Sequence, residues 1–390
     1  MTRRAIMKQF ETVLVPHVHF GNGMINKISE IVSSICDNHR EIMLITDKNI
    51  FSSRLPHPII FKLQNDGFKV EILDSIPPEP TNHELDDLAK KLRSVPVSAI
   101  IGIGGGSVMD SSKILSILAK YSVTTEDLSQ HSVPGKGLPF ILIPTTSGTG
   151  AETTPNAIVL FPERQLKIGI VSPFFIPEHV ILDPELTLGL PPSLTASTGI
   201  DTVCHLLESF LAKKANSFSD MFALEGLKLM VNSLPIAFQD GKDLEARSSA
   251  MLSAFYGGVC ISAAGTNAVH ALSYPLGGMF KIPHGLANSI LLIPVIEYEK
   301  DRIFSRLAMT AEVLGCSTGL GEYEDASSVV ERLNSLIRYL QIPTNLQQFG
   351  VKPSALDYLV DAAYEVRRLL DNNPIKLNKN DIRAIYAKVI

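Results

Sequence analysis

The segment that most constrains the fold runs from Ala99 to Lys113 and reads AIIGIGGGSVMDSSK. An apolar, β-branched run enters a cluster of glycines and leaves it with helical spacing. A run of this kind without polar alternation suits a strand buried on both faces, as in a parallel sheet. Gly104, Gly105 and Gly106 let the backbone approach a ligand closely. The helix behind them aims free N–H groups and a positive dipole end at the turn, which suits a pyrophosphate. The spacing is neither GxGxxG nor GxxxxGK[ST], and a tight turn with no ligand is the alternative. Ser107 with Asp110 three residues on fits a capping box.

Similar apolar runs recur at 42–46, 139–143, 157–160, 167–171 and 179–182, with helical spacing at 82–93 and 109–120. Alternating strands and helices argue for a parallel sheet with helices on its faces. The texture changes near Leu190-Pro191-Pro192-Ser193. Beyond it helical periodicity dominates, at roughly 193–212, 219–236, 245–263, 302–315, 325–341 and 354–370. Two domains are expected: an α/β parallel-sheet domain over 1–190 and an all-α domain over 191–390.

A second polar loop, PTTSGTG over 144–150, follows another strong strand. Thr145, Thr146, Ser147 and Thr149 offer hydroxyls, at the strand ends where open α/β sheets bind ligands. Asp47 ends the strand IMLITD. An acid there can bind a ribose diol and repel a 2′-phosphate, or it can cap a helix.

Metal chemistry is suggested between 199 and 290. In GIDTVCHLLES, Asp201 and His205 stand at i and i+4 and share a helix face. His270 lies in GTNAVHALSYPLGG, with Tyr274 one turn later. His284 follows Pro283, and proline is favoured at helix starts, which puts His284 in a first turn. One carboxylate and three imidazoles suit Fe(II) or Zn(II). Each histidine alone has a bland alternative as a satisfied core residue.

The 390 residues carry a net charge of −5, and 45% are hydrophobic. No basic stripe points to nucleic acid. The basic N-terminus has no apolar stretch behind it, and no unbroken apolar run approaches the roughly 20 residues of a membrane helix. A cytoplasmic chain without a membrane partner is expected. Cys36, Cys204, Cys260 and Cys316 are widely spaced, which fits free thiols rather than a thiolate zinc site.

With these motifs the chain resembles the iron-containing (group III) alcohol dehydrogenase family over nearly its whole length. GGGSVMDSSK is similar to the family's cofactor turn and PTTSGTGAETTPNAIV to its second cofactor loop. LKIGIV and VILDPELTLGLPPSLTASTGIDTVCHLLESF resemble its passage across the domain boundary. VHALSYPLGG and IPHGLANSILLIP resemble its two histidine motifs. The resemblance implies a Rossmann-like N-terminal domain and a helical C-terminal domain, the plan shared with dehydroquinate synthase, with the active site in the cleft. It implies that Asp201, His205, His270 and His284 hold Fe(II), or alternatively Zn(II). It assigns NAD to Asp47, Gly104, Gly105, Gly106, Ser107, Asp110, Thr145, Thr146, Thr149, Lys167 and Leu186, and places Asn156 in the substrate pocket.

The implied activity is NAD-linked alcohol oxidation or aldehyde reduction on a small molecule, the metal polarising the substrate oxygen. A homodimer or higher homo-oligomer is expected. Two positions depart from the family pattern. Tyr274 stands where many members have a second histidine, which makes it the candidate proton relay. The turn Pro78-Glu79-Pro80-Thr81 has Glu79 where many have asparagine. A sugar-phosphate cyclase and a non-enzymatic binding protein are the alternatives. Arg367 and Arg368 would favour an anionic substrate if they approached the cleft; a solvated helix end is the plainer expectation for them.

Overall fold

The computed structural model describes residues 9–36, 39–164 and 166–390. The chain divides into two compact units. One is Val13–Gly189, and the other is Leu190–Ile390 joined, among the described residues, by 9–12. Residues 9–12 therefore group with the helical half and not with the sheet that follows them. Phe10 stacks on Phe218 with ring centroids 5.6 Å apart.

The unit Val13–Gly189 contains β1 (His17–Phe20), α1 (Ile28–Ser33), β2 (Glu41–Ile45), α2 (Lys48–Ser52), α3 (His57–Asn65), β3 (Lys69–Leu73), α4 (Asn82–Arg93) and β4 (Ala99–Gly104). There follow α5 (Gly106–Lys120), α6 (Thr125–Gln130), β5 (Phe140–Pro144), β6 (Asn156–Phe161), β7 (Leu166–Val171) and β8 (His179–Leu182). Among the described residues, six strands form one parallel sheet in the order β1-β8-β5-β4-β2-β3.

Strand periodicity sorts the core to the two sheet faces. Ile42, Leu44, Ile101 and Ile103 pack with α1 and α3, whereas Met43, Ile45, Ile100 and Leu142 pack with α4 and α5. Each fully buried aliphatic side chain contributes about 1.5–3 kcal/mol. β4 is buried at every residue, as the centre of such a sheet must be.

The runs at 157–160 and 167–171 do not join this sheet. They form β6 and β7, a separate antiparallel ribbon. The link between them is too short for the helical crossover that parallel pairing needs.

The second unit contains α7 (Pro192–Leu211), α8 (Ser217–Gln239), α9 (Leu244–Ala264), α10 (Ala268–Phe280), α11 (His284–Ala308), α12 (Glu322–Tyr339), α13 (Leu356–Tyr364), α14 (Arg367–Leu370) and α15 (Lys379–Tyr386). No strand occurs among its described residues. Helical spacing expected over 302–315 ends at Ala308, and the stretch 354–370 breaks at Val366, whose ψ of 55° is not helical. By length and mean hydropathy α8 could cross a membrane. Its Ala223, Leu227, Met230 and Leu234 are instead buried in the core that also holds α7, which is how a core helix packs.

Candidate functional site

The metal-type cluster is assembled by three helices of the second unit. Asp201 and His205 lie one turn apart on α7, His270 lies in the first turns of α10, and His284 is the first residue of α11. α11 reaches α7 closely because residue 285 is glycine: a Cβ there would stand 2.7 Å from the Ser197 carbonyl oxygen.

The ligand-type atoms converge. Asp201 Oδ1 stands 3.7 Å from His205 Nε2 and 3.9 Å from both His270 Nε2 and His284 Nε2. One atom from each of the four residues falls within 4.8 Å of all the others. An ion with bonds of about 2.1 Å holds neighbouring ligand atoms about 3.0–3.4 Å apart, so contraction of this set closes it on a cation, and coordination beyond four leaves a position for a further ligand.

Asn288, one turn beyond His284, supplies a second measure of convergence. Its amide nitrogen lies 2.6 Å from Asp201 Oδ1, 3.1 Å from His270 Nε2 and 3.2 Å from His284 Nε2. A single donor thus meets three acceptor-type atoms, which is where a cation fits. The same residue's Oδ1 is buried without a hydrogen-bond partner. The donor set is one carboxylate and three imidazoles, suited to Fe(II) or Zn(II). Asp201, His205 and His270 are nearly fully buried, whereas His284 keeps 32% of its side chain exposed. The site is therefore open on one side, as a catalytic ion requires. The Tyr274 ring centroid lies 6.1 Å from that of His284.

Sequence reasoning missed Glu208. It lies on α7 at i+3 from His205 and i+7 from Asp201, so helical spacing alone puts it on the same face. Its buried carboxylate hydrogen-bonds to His270 Nδ1. It also accepts from the backbone N–H groups of Asn267 at 3.0 Å and Val269 at 2.8 Å, at the start of α10. One acid thereby caps a helix and turns His270 so that Nε2 faces the cluster. Burial alone would lower the His270 pKa, but the Glu208 and Asp201 carboxylates together more than offset it and raise the value. Burial pushes Asp201 upward, and the three imidazoles with the Asn288 amide more than offset this and hold it below the usual carboxylate range.

In the sheet unit, the two glycine- and threonine-rich loops meet. They follow the neighbouring strands β4 and β5, and Thr145 N–H donates to the Gly104 carbonyl at 2.9 Å. A Cβ on Gly106 would stand 2.8 Å from Thr149 Cγ2, so only glycine lets the loops touch. Thr146 lies against Gly105, and Thr145 is buried. Asp47 caps α2, and both bonds, from Asn49 and Ile50 N–H, fall on Oδ1. Capping is therefore compatible with a further donor at Oδ2. Leu186 is partly buried against the β2–β4 core.

The expected capping box does not form. The N-cap of α5 is Gly105, with no side-chain cap. Ser107 Oγ instead accepts from Glu79 N–H at 3.1 Å. Asp110 accepts from Ile158 N–H at 3.0 Å and pairs with buried Lys113 at 3.2 Å, bracing the turn from beneath. Lys113 also donates to the Asn156 carbonyl at 2.5 Å, fixing the start of β6. Lys167 pairs with Glu79. In the helical unit, Arg367 pairs with Asp371 and lies over Tyr364, while Arg368 is exposed.

Comparison with known proteins gives matches along nearly the whole chain. Residues 16–184 match the iron-containing alcohol dehydrogenase family, and residues 195–390 match the C-terminal part of the Fe-containing alcohol dehydrogenase family. The chain is 34% identical over 379 residues to long-chain-alcohol dehydrogenase 1 of Geobacillus thermodenitrificans, covering 96% of this chain and 95% of that one. Its fold is similar to a solved 1,3-propanediol oxidoreductase, with a TM-score of 0.94, 28% identity and coverage of 98% and 100%. It is also similar to sulfoacetaldehyde reductase of Bifidobacterium kashiwanohense solved in complex with NAD+, with a TM-score of 0.87, 27% identity and coverage of 98% and 99%.

Proposed function

The chain belongs to the iron-containing alcohol dehydrogenase family, and from that premise we propose that it is a metal-dependent, NAD(H)-linked alcohol dehydrogenase or aldehyde reductase. The observation that carries the reading is the convergence of four ligand atoms, three of them on one amide nitrogen. No observation favours the cyclase or the binding-protein alternative.

Asp201, His205, His270 and His284 hold the divalent ion, Fe(II) in preference to Zn(II). When bound, the ion supplies Lewis acidity toward the substrate oxygen, and NAD supplies the hydride acceptor. Glu208 keeps the His270 ring in place with Nε2 directed at the cluster. Gly104, Gly105, Gly106 and Ser107 bind the pyrophosphate through backbone N–H groups at the start of α5, steadied by Asp110, Thr145, Thr146 and Thr149. Lys167 and Leu186 complete the cofactor contacts. Asp47 takes the adenosine ribose through Oδ2 and disfavours a 2′-phosphate, which selects NAD over NADP. Asn156 contacts the substrate. Tyr274 Oη passes the proton along hydrogen bonds, as a conduit.

The enzyme is proposed to be cytoplasmic and homodimeric or larger. β1 pairs with β8 on one side only among the described residues, and it exposes Val18 and Phe20. Such an edge needs cover. The test of function is NADH formation from a panel of primary alcohols, diols and hydroxy acids by the metal-loaded enzyme. No NADH from any of them, and no NADH consumption with the matching aldehydes, would overturn the reading.

A further inference from the structure

The segment before α4 carries an unusual glutamate. Glu79 has φ +52°, in the left-handed region that costs an L-residue about 1–2 kcal/mol. Such a conformation persists only where its surroundings hold it. Here its backbone N–H donates to Ser107 Oγ at 3.1 Å. The next residue, Pro80, accepts from Leu160 N–H at 3.1 Å, which ties the segment to β6. Its carboxylate Oε1 takes the Lys167 ammonium at 2.5 Å. Lys167 is 6% exposed and Glu79 31%.

The placement matters because of what lies beside it. Ser107 is in the first turn of α5, a 15-residue helix with no acid in that turn and no side-chain cap. Free N–H groups and the helix dipole favour an anion there, and Lys167 is tied to the same segment through Glu79. Glu79 commits that ammonium to its own carboxylate while its backbone bonds to Ser107.

We infer that Glu79 tunes cofactor release: its carboxylate holds Lys167 and so withholds that ammonium from the pyrophosphate at the α5 turn, so that NAD(H) binds loosely and leaves readily. This rests on the reading of the 104–107 turn as the cofactor site. Glu79 is a positioning residue, acting through Lys167.

The test is direct binding of NADH to the metal-loaded enzyme, followed by fluorescence, with the release rate from stopped flow. Glu79→Gln keeps the shape and removes the charge. It should bind NADH about 10-fold more tightly, through slower release, which corresponds to about 1.4 kcal/mol. The gain should vanish in the Glu79→Gln, Lys167→Met double variant. Glu79→Asn, which suits a positive φ, should repeat the gain if Glu79→Gln folds poorly. Unchanged or weaker NADH binding in both single variants overturns the proposal, as does a gain that survives loss of Lys167. Absence of NADH binding in every protein, wild type included, overturns the dehydrogenase reading and this inference with it.

Discussion

Glu208 accepts a hydrogen bond from His270 Nδ1 while the same carboxylate caps the helix that carries His270. Orientation of the imidazole and stability of the helix start therefore depend on one side chain. Glu208→Gln retains an acceptor for one donor but loses the charge. It should lower metal affinity about 10–100-fold, the usual cost of removing such a partner. Equilibrium titration with Zn(II) or Fe(II) measures it, and unchanged affinity would show that the capping role alone matters.

Asn288 should matter most when no metal is bound. Its amide then satisfies the buried Asp201 carboxylate at 2.6 Å. Asn288→Ala removes that donor and should destabilise the metal-free chain by about 1–3 kcal/mol. The metal-loaded chain, whose carboxylate has the cation, should lose less. Thermal melts of both forms decide it; equal losses would mean that Asn288 acts only through packing.

Glu299 gives a pH dependence that a melt can read. It lies buried on α11 and accepts from Asn373 Nδ2 at 2.5 Å. Burial pushes its carboxyl up from 4.5 to about 7. The folded chain thus keeps a proton that the unfolded chain releases above pH 4.5, so this group's contribution to stability falls as pH rises from 4.5 to about 7 and is level above. The interval corresponds to about 3 kcal/mol. Glu299→Gln should remove that slope and gain stability at neutral pH. A slope that persists would place its origin elsewhere.

Asp47 combines a cap with a charge, and two substitutions separate them. Asp47→Ser keeps a cap for α2 and removes the charge, so efficiency with NADPH should rise about 5- to 10-fold relative to NADH at little cost in stability. Asp47→Ala should add a loss of about 1 kcal/mol. An unchanged cofactor ratio in both would leave Asp47 only its capping role.

What the sequence disclosed was local. The glycine turn after β4, the threonine loop after β5 and the Asp201–His205 pair are written within a few residues, and the structure sets each where its spacing suggests. What it concealed depends on distant partners. β1 reads HVHF, with little of the burial pattern of a core strand, and its pairing is with β8, about 160 residues on. Ser107 and Asp110 fit a capping box, yet Glu79 and Ile158 capture them through tertiary contacts. Glu208 was visible on the ligand face of α7, but its role depends on the α10 start, 59 residues away. Asn288 stands at i+4 from His284, and only the fold brings Asp201 to it.

The central claim is a catalytic divalent ion held by Asp201, His205, His270 and His284. The most direct measurement is metal content together with NAD-dependent alcohol oxidation before and after chelation, in wild type and in His270→Ala. The account predicts one ion per chain in the wild type, activity lost on chelation and restored by Fe(II) or Zn(II), and neither tight metal binding nor activity in His270→Ala. Full activity in metal-free enzyme, or wild-type metal content in His270→Ala, would contradict it.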